Sequence, residues 1–133
     1  MQELVIPGEL YSSKNSRRPV LCKSKSTGKT KIVPLKSKKA EEHFQYLLFV
    51  LSDAKRKVCW KRMIDGKRYP LVVTFKIYRK SNRVFDYVNI IQNLCDALVK
   101  SGYLPDDDAA HLLPIPLQYE KDALNPRTIL TVL

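Results

Sequence analysis

The stretch Pro70–Gly102, PLVVTFKIYRKSNRVFDYVNIIQNLCDALVKSG, carries the two clearest periodicities in the chain. Leu71, Val73, Phe75 and Ile77 alternate with Val72, Thr74, Lys76 and Tyr78, a period of two that predicts a strand with one face on a core. A basic loop follows, Arg79-Lys80-Ser81-Asn82-Arg83. From about Tyr87 to Ser101 the spacing becomes helical, with Ile91, Leu94 and Leu98 in line and Ile90 and Ala97 beside them. Asn89, Gln92, Asn93, Asp96 and Lys100 fall on the opposite side, and Gly102 is the stop signal.

Upstream, Leu4-Val5-Ile6 reads as a short strand ended by Pro7-Gly8. Residues 11–36 form a long polar excursion in which two apolar patches flank Thr27-Gly28, consistent with a protruding hairpin. A structureless loop of that length would be unusual in a compact domain unless functional. Ser37 is a credible N-cap for an amphipathic helix running to about residue 59, with Ala40, Phe44, Leu47, Leu48, Leu51, Ala54 and Val58 as its apolar stripe. Asp65-Gly66 marks a turn. Downstream, Leu112–Tyr119 and Thr128–Leu133 read as short strands joined by a turn at 121–126, and Pro114 and Pro116 confine the first to an edge or an irregular strand. The order predicts one α+β domain over 1–133, a mixed sheet of about four short strands packed with two helices.

The composition narrows the function classes. With 133 residues the chain can bury a core unaided, and 44% hydrophobic against 28% charged residues is neither disordered nor fibrous. The longest apolar stretch, His43–Ser52, falls far short of the roughly 20 residues a bilayer requires. Met1-Gln2-Glu3 begins neither a basic n-region nor an apolar h-region, so a cytoplasmic protein is expected. Cys22, Cys59 and Cys95 are odd in number and lack C-x-x-C spacing, which favours free thiols over disulfides and gives no usable metal spacing with His43 or His111.

Net charge is +11 and unevenly placed. Residues 1–83 hold 21 Lys+Arg against 6 Asp+Glu, or +15, whereas residues 84–133 hold 3 against 7, or −4. Such a basic half suits a polyanion, although it could also serve solubility alone. Its cations alternate with turn formers, as loops that track a phosphate backbone do. Lys14, Arg17, Arg18, Lys23, Lys25, Lys29 and Lys31, together with Arg79, Lys80 and Arg83, are the candidate phosphate contacts.

Against this background, residues 84–108 contain five acids, Asp86, Asp96, Asp106, Asp107 and Asp108, and one base, Lys100. Carboxylates facing DNA would repel it unless a divalent cation lay between them, and phosphodiester cleavage uses such a cation to activate water. The plainer alternative is structural. Asp86 would then cap the second helix, and Asp106–Asp108 would be a solvated turn after Pro105.

The run from Phe85 to Asp107 resembles the signature of the RusA-type Holliday junction resolvases. That family carries D-x-D-N-x-x-K, then D-A-L on the helix, then a glycine and a D-D pair. Asp86, Asn89, Asp96-Ala97-Leu98, Gly102 and Asp106-Asp107 match it in register without a gap. The order of elements extends the likeness over most of the chain. It implies a homodimeric endonuclease that resolves four-way DNA junctions in recombination and repair with Mg²⁺, Mn²⁺ being able to substitute, and with no nucleotide cofactor. By carry-over Asp86 and Asp107 hold the metal, with Asp106 or Asp96 as auxiliary acid and Asn89 orienting the site.

Two positions depart from the family pattern: its second motif aspartate falls on Val88 and its lysine on Gln92. The rival expectation is therefore a weakened or inactive nucleic-acid-binding module of the same fold. Geometry adds a condition. A helix over 88–101 is roughly 20 Å long at 1.5 Å per residue. Asp86 and Asp107 can share an ion only if the segment after Gly102 folds back along the helix, or if a partner copy supplies its own Asp107.

Overall fold

The computed structural model describes residues 2–11, 17–23, 28, 30–36 and 38–133, with 17–23 and 30–36 described at the level of the backbone. The order is β1 (Leu4–Pro7), β2 (Arg17–Lys23), β3 (Thr30–Lys36), α1 (Lys38–Leu51), α2 (Ala54–Ile64), β4 (Leu71–Arg79), α3 (Tyr87–Lys100), β5 (Leu112–Pro116), β6 (Glu120–Lys121) and β7 (Arg127–Val132). It is an α+β domain with a mixed five-stranded sheet in the order β1-β7-β4-β5, β6 also pairing with β4, and a separate β2–β3 hairpin.

β4 organises the sheet. Leu71, Val73, Phe75 and Ile77 are each at most 2% exposed, as the period of two requires. β7 pairs antiparallel along one side of β4, bringing Leu130 opposite Phe75, while β5 and β6 pair parallel along the other. Parallel neighbours need a crossover connection, and α3 supplies it between β4 and β5. The crossover is what commits α3 to the sheet: Ile90, Leu94, Ala97 and Leu98 are buried with Phe75, Leu47 and Leu51 in one apolar core.

Two local features differ from the sequence expectation. The first helix is two helices, because Ser52 Oγ donates to the Phe49 carbonyl at 2.6 Å and Asp53 caps a new helix by accepting from the Arg56 N–H at 3.2 Å. The break resets the helical phase, so Ala54 and Val58 face outward, Val58 at 48% exposure, rather than continuing the buried stripe. Asn93, assigned to the polar side of α3, is instead buried, its amide donating to the Tyr11 carbonyl at 3.5 Å. The Ser37 cap lies outside the described residues.

Gly102 stops α3 as expected, and does so with the full Schellman pattern. Its N–H donates to Val99 O at 3.1 Å, the Tyr103 N–H donates to Leu98 O at 2.9 Å, and its φ is +81°. Tyr103 is then fixed by the core. Its hydroxyl donates to Leu51 O at 2.7 Å, and its carbonyl accepts from Trp60 Nε1 at 2.9 Å. From this anchor the chain turns back toward the middle of α3.

Candidate functional site

The acids of the 86–108 segment sit on the solvent-facing ridge of α3 and on the turn that returns along it. Asp86 is the N-cap of α3: Oδ1 accepts from the Val88 N–H at 3.0 Å, and Oδ2 accepts from Asn89 Nδ2, also at 3.0 Å. The structural role foreseen for Asp86 is therefore real, and Asn89 orients its carboxylate. One turn further on, Gln92 Nε2 donates to Asp96 Oδ1 at 3.0 Å and to Asp107 Oδ2 at 3.2 Å. A carboxylate only accepts, so an amide wedged between two of them presents its NH₂ to both. The return after Tyr103 thus brings Asp107 to Gln92 within one chain, by the fold-back route.

Asp86, Asn89, Gln92 and Asp96 follow one another at spacings of three and four and form a single polar line on α3. Asp106 turns inward on its own loop, its Oδ1 accepting from the Asp107 N–H at 2.8 Å. Asp108 leaves the line altogether and meets His111, Oδ1 to Nδ1, at 2.6 Å. That hydrogen bond holds the Asp108 carboxyl below its ordinary value of 3.8. A carboxyl whose folded value is depressed contributes stability that is present above the unfolded value and is lost as pH falls through the folded one. Proton titration followed by NMR should therefore place Asp108 below its ordinary value in the wild type and move it upward in His111→Leu, which removes the largest lowering contact and keeps the backbone ones.

Among the described residues no group of three or more His, Cys, Asp or Glu side chains converges closely enough to enclose a metal ion. The donors present are oxygens only, the set that suits Mg²⁺ or Mn²⁺. Mg²⁺ is commonly held by one or two carboxylates, with water and substrate phosphate completing its shell. Asp96 and Asp107, both bonded to the Gln92 amide, are the carboxylates the fold brings together, and Asp86 stands six residues, about 9 Å of helix rise, before Gln92. They do not fit a closed three-carboxylate cage, because the hydrocarbon of Val88, 73% exposed, stands where the family pattern has its middle aspartate.

The expected cations divide. Lys80 and Arg83 are exposed on the loop that leads into Asp86. Arg79 is not available as a phosphate contact. Its guanidinium pairs with Glu9 at 3.2 Å, donates to Leu10 O and stacks 4.2 Å from the Phe85 ring centroid, with the side chain only 11% exposed. It is a strut between the N-terminal strand and the loop before α3. Lys14, Lys25 and Lys29 lie outside the described residues. Arg17, Arg18, Lys23 and Lys31 are carried by the β2–β3 hairpin, whose strands pair from Arg17↔Lys36 to Lys23↔Thr30.

Two contributors were not legible as functional in the sequence. Gln92, read there only as the loss of a lysine, is the group that joins Asp96 to Asp107, and the i,i+4 spacing of Gln92 and Asp96 was the available signal. Tyr87 is the other. Its ring packs 4.8 Å from Phe85, and its hydroxyl donates to Leu117 O at 2.8 Å, with burial raising its pKa above 10.0. Tyr87, Gln92 and Asp107 line a common cleft between α3 and β5. In comparison with known proteins, the chain matches no protein-family model, and no curated protein matches it.

Proposed function

We propose that this chain is a RusA-like endonuclease that acts on four-way DNA junctions as a homodimer, each copy making one of two symmetric cuts. The observation that carries the reading is the convergence of Asp107 and Asp96 on Gln92, in line with Asp86 and Asn89 on one exposed ridge. Acids 11 positions apart meet at Gln92 on that ridge in a chain of net charge +11. Asp86 and Asp107 would hold the divalent ion, which when bound activates water and offsets charge on the phosphate. Asn89 keeps the Asp86 carboxylate turned outward, and Gln92 holds Asp107 against the helix. Lys80 and Arg83, with the cations of the hairpin segment, would position phosphates. Such contacts set register without reading sequence, so recognition of a junction would rest on shape.

The test is incubation of the purified chain with a synthetic four-way junction in Mg²⁺, Mn²⁺ or EDTA. Metal-dependent nicks placed symmetrically support the reading. Salt-sensitive binding with no cutting in either metal overturns it. A second reading, a binding module without catalysis, is favoured by a specific observation: at the two departures, exposed Val88 brings no carboxylate and Gln92 brings no positive charge. The two are separated by Val88→Asp/Gln92→Lys. The double change should raise cutting about 10-fold or more if the site is only weakened, since one well-placed charge at a reacting phosphate is worth that much.

A further inference from the structure

α2 and the turn after it carry cations that the fold does not use. Residues 54–68 hold seven Lys and Arg against one acid, Asp65, and so supply +6 of the net +11. Arg56 is spent on structure: its Nε donates to Val5 O at 3.0 Å and its Nη1 meets Asp53 at 3.4 Å. Lys55, Lys57, Lys61, Arg62, Lys67 and Arg68 are exposed and form no ion pair among the described residues. Nor do they help the helix. Lys55, Arg56 and Lys57 stand in its first turn, where the helix N-terminus disfavours positive charge and no acid is present. Lys57 and Lys61 are one turn apart, a like-charge pair that lowers helix stability. A surface kept only for solubility intersperses the two signs.

The position of this face points to its occupant. A groove of about 560 Å³ runs between α2 and the segment Ser101–Pro105, with Lys57 and Lys61 on its α2 side and Trp60, Ile64 and Leu104 in its wall. Pro105 is two residues before Asp107, at most about 7 Å of chain. The groove therefore lies at the C-terminal end of α3, whereas Lys80 and Arg83 precede its N-terminal cap, Asp86. The 14 residues of α3 separate these two cationic groups by about 20 Å. We propose that the exposed face of α2 and its groove form a second phosphate-binding surface, which holds the DNA backbone beyond the acids from Lys80 and Arg83. The proposal rests on the DNA-binding reading above and adds a surface to it. A span of 20 Å is about six steps of a DNA strand at 3.4 Å each, so a strand laid along the ridge meets cations before and after the acids. Flexible lysines suit such a backbone, because contacts to phosphate position it without reading sequence. An acidic protein would match the same charge, but only a strand held at the acids has to continue past the end of α3.

Lys57→Gln/Lys61→Gln/Arg62→Gln tests the surface, since glutamine keeps the helix propensity and removes three charges. Fluorescence anisotropy of a labelled four-way junction with the full chain, in EDTA and from 50 to 200 mM salt, reads the number of phosphates neutralised. Loss of three contacts should lower the slope of log affinity against log salt by about 2.7. Over that range the wild type should then lose about 40-fold more affinity than the variant. The melting temperature of the variant should not fall, because like-charge neighbours have been removed. Lys38→Gln/Lys100→Gln/Lys121→Gln takes the same charge from scattered exposed positions and should keep the wild-type slope. An unchanged slope in the α2 variant, or an equal loss in both variants, overturns the second surface while the DNA-binding reading stands. If the wild type does not bind the junction at all, both fall. If the α2 variant binds the junction as the wild type does and loses affinity only for poly-glutamate, the face takes an acidic polypeptide and the proposal is overturned.

Discussion

Replacing Asp86 with asparagine should lower metal-dependent cutting of a four-way junction by about 100-fold or more, while the melting temperature moves by no more than about 2 °C. The separation follows from the two jobs Asp86 would have under the proposed function. As the N-cap of α3 it accepts from the Val88 N–H at 3.0 Å, and asparagine caps as well as aspartate does. Asn89 needs only to present its carbonyl in place of its amide to meet the new side chain. What asparagine cannot supply is the negative charge that would hold a divalent ion. Asp86→Ala removes both functions and should add a stability loss of about 1 kcal/mol for the missing cap. Full cutting by Asp86→Asn would mean that the residue is a cap and nothing more.

The largest effect on stability should come from Trp60, which is far from the acids in sequence. Trp60 is 2% exposed and packs 5.8 Å from Tyr103, centroid to centroid. Trp60→Ala should cost about 3–5 kcal/mol, a large share of the roughly 5–15 kcal/mol that holds a domain of this kind together. Urea denaturation would read it as a lower midpoint with little change in slope. Trp60→Phe is the more informative variant. It keeps a ring in the core but leaves the Tyr103 carbonyl without its 2.9 Å donor, at about 1–3 kcal/mol. Asp107 follows four residues after that carbonyl. Under the proposed function Trp60→Phe should therefore also raise the Mg²⁺ concentration needed for half-maximal cutting, an effect that a purely structural tryptophan would not have.

What could be read in advance was whatever depends on local spacing. The alternation in Leu71–Tyr78 gave β4, and the Ile91, Leu94, Leu98 line with Gly102 gave α3 and its end. The prolines of β5 pointed to an edge or an irregular strand, and β5 is the edge. The break at Ser52-Asp53 escaped because Ala54 and Val58 continue the apolar spacing by coincidence, and a cap signal inside a periodic run is easily outweighed. The buried positions of Asn93 and Arg79 escaped for a different reason. Their partners, Tyr11 and Glu9, are about 70 to 80 positions away, and no periodicity encodes a contact of that span. The same holds for Asp107, whose place beside Gln92 is decided by the Trp60–Tyr103 anchor and not by any pattern in the acids themselves. Metal chemistry and substrate class rest on the family resemblance and on the experiments above.

The two faces of α3 also have different freedom to change. Its inner face is fixed by the core, but Val88 and Gln92 project into solvent from the outer one. A carboxylate or a lysine at those positions, or the valine and glutamine found there, would leave the packing of the sheet untouched. Folding therefore imposes almost no selection on positions 88 and 92. Under the proposed function, what stands there is left to chemistry, and a chain of this kind could drift between cutting and merely holding DNA by steps that never endanger its fold.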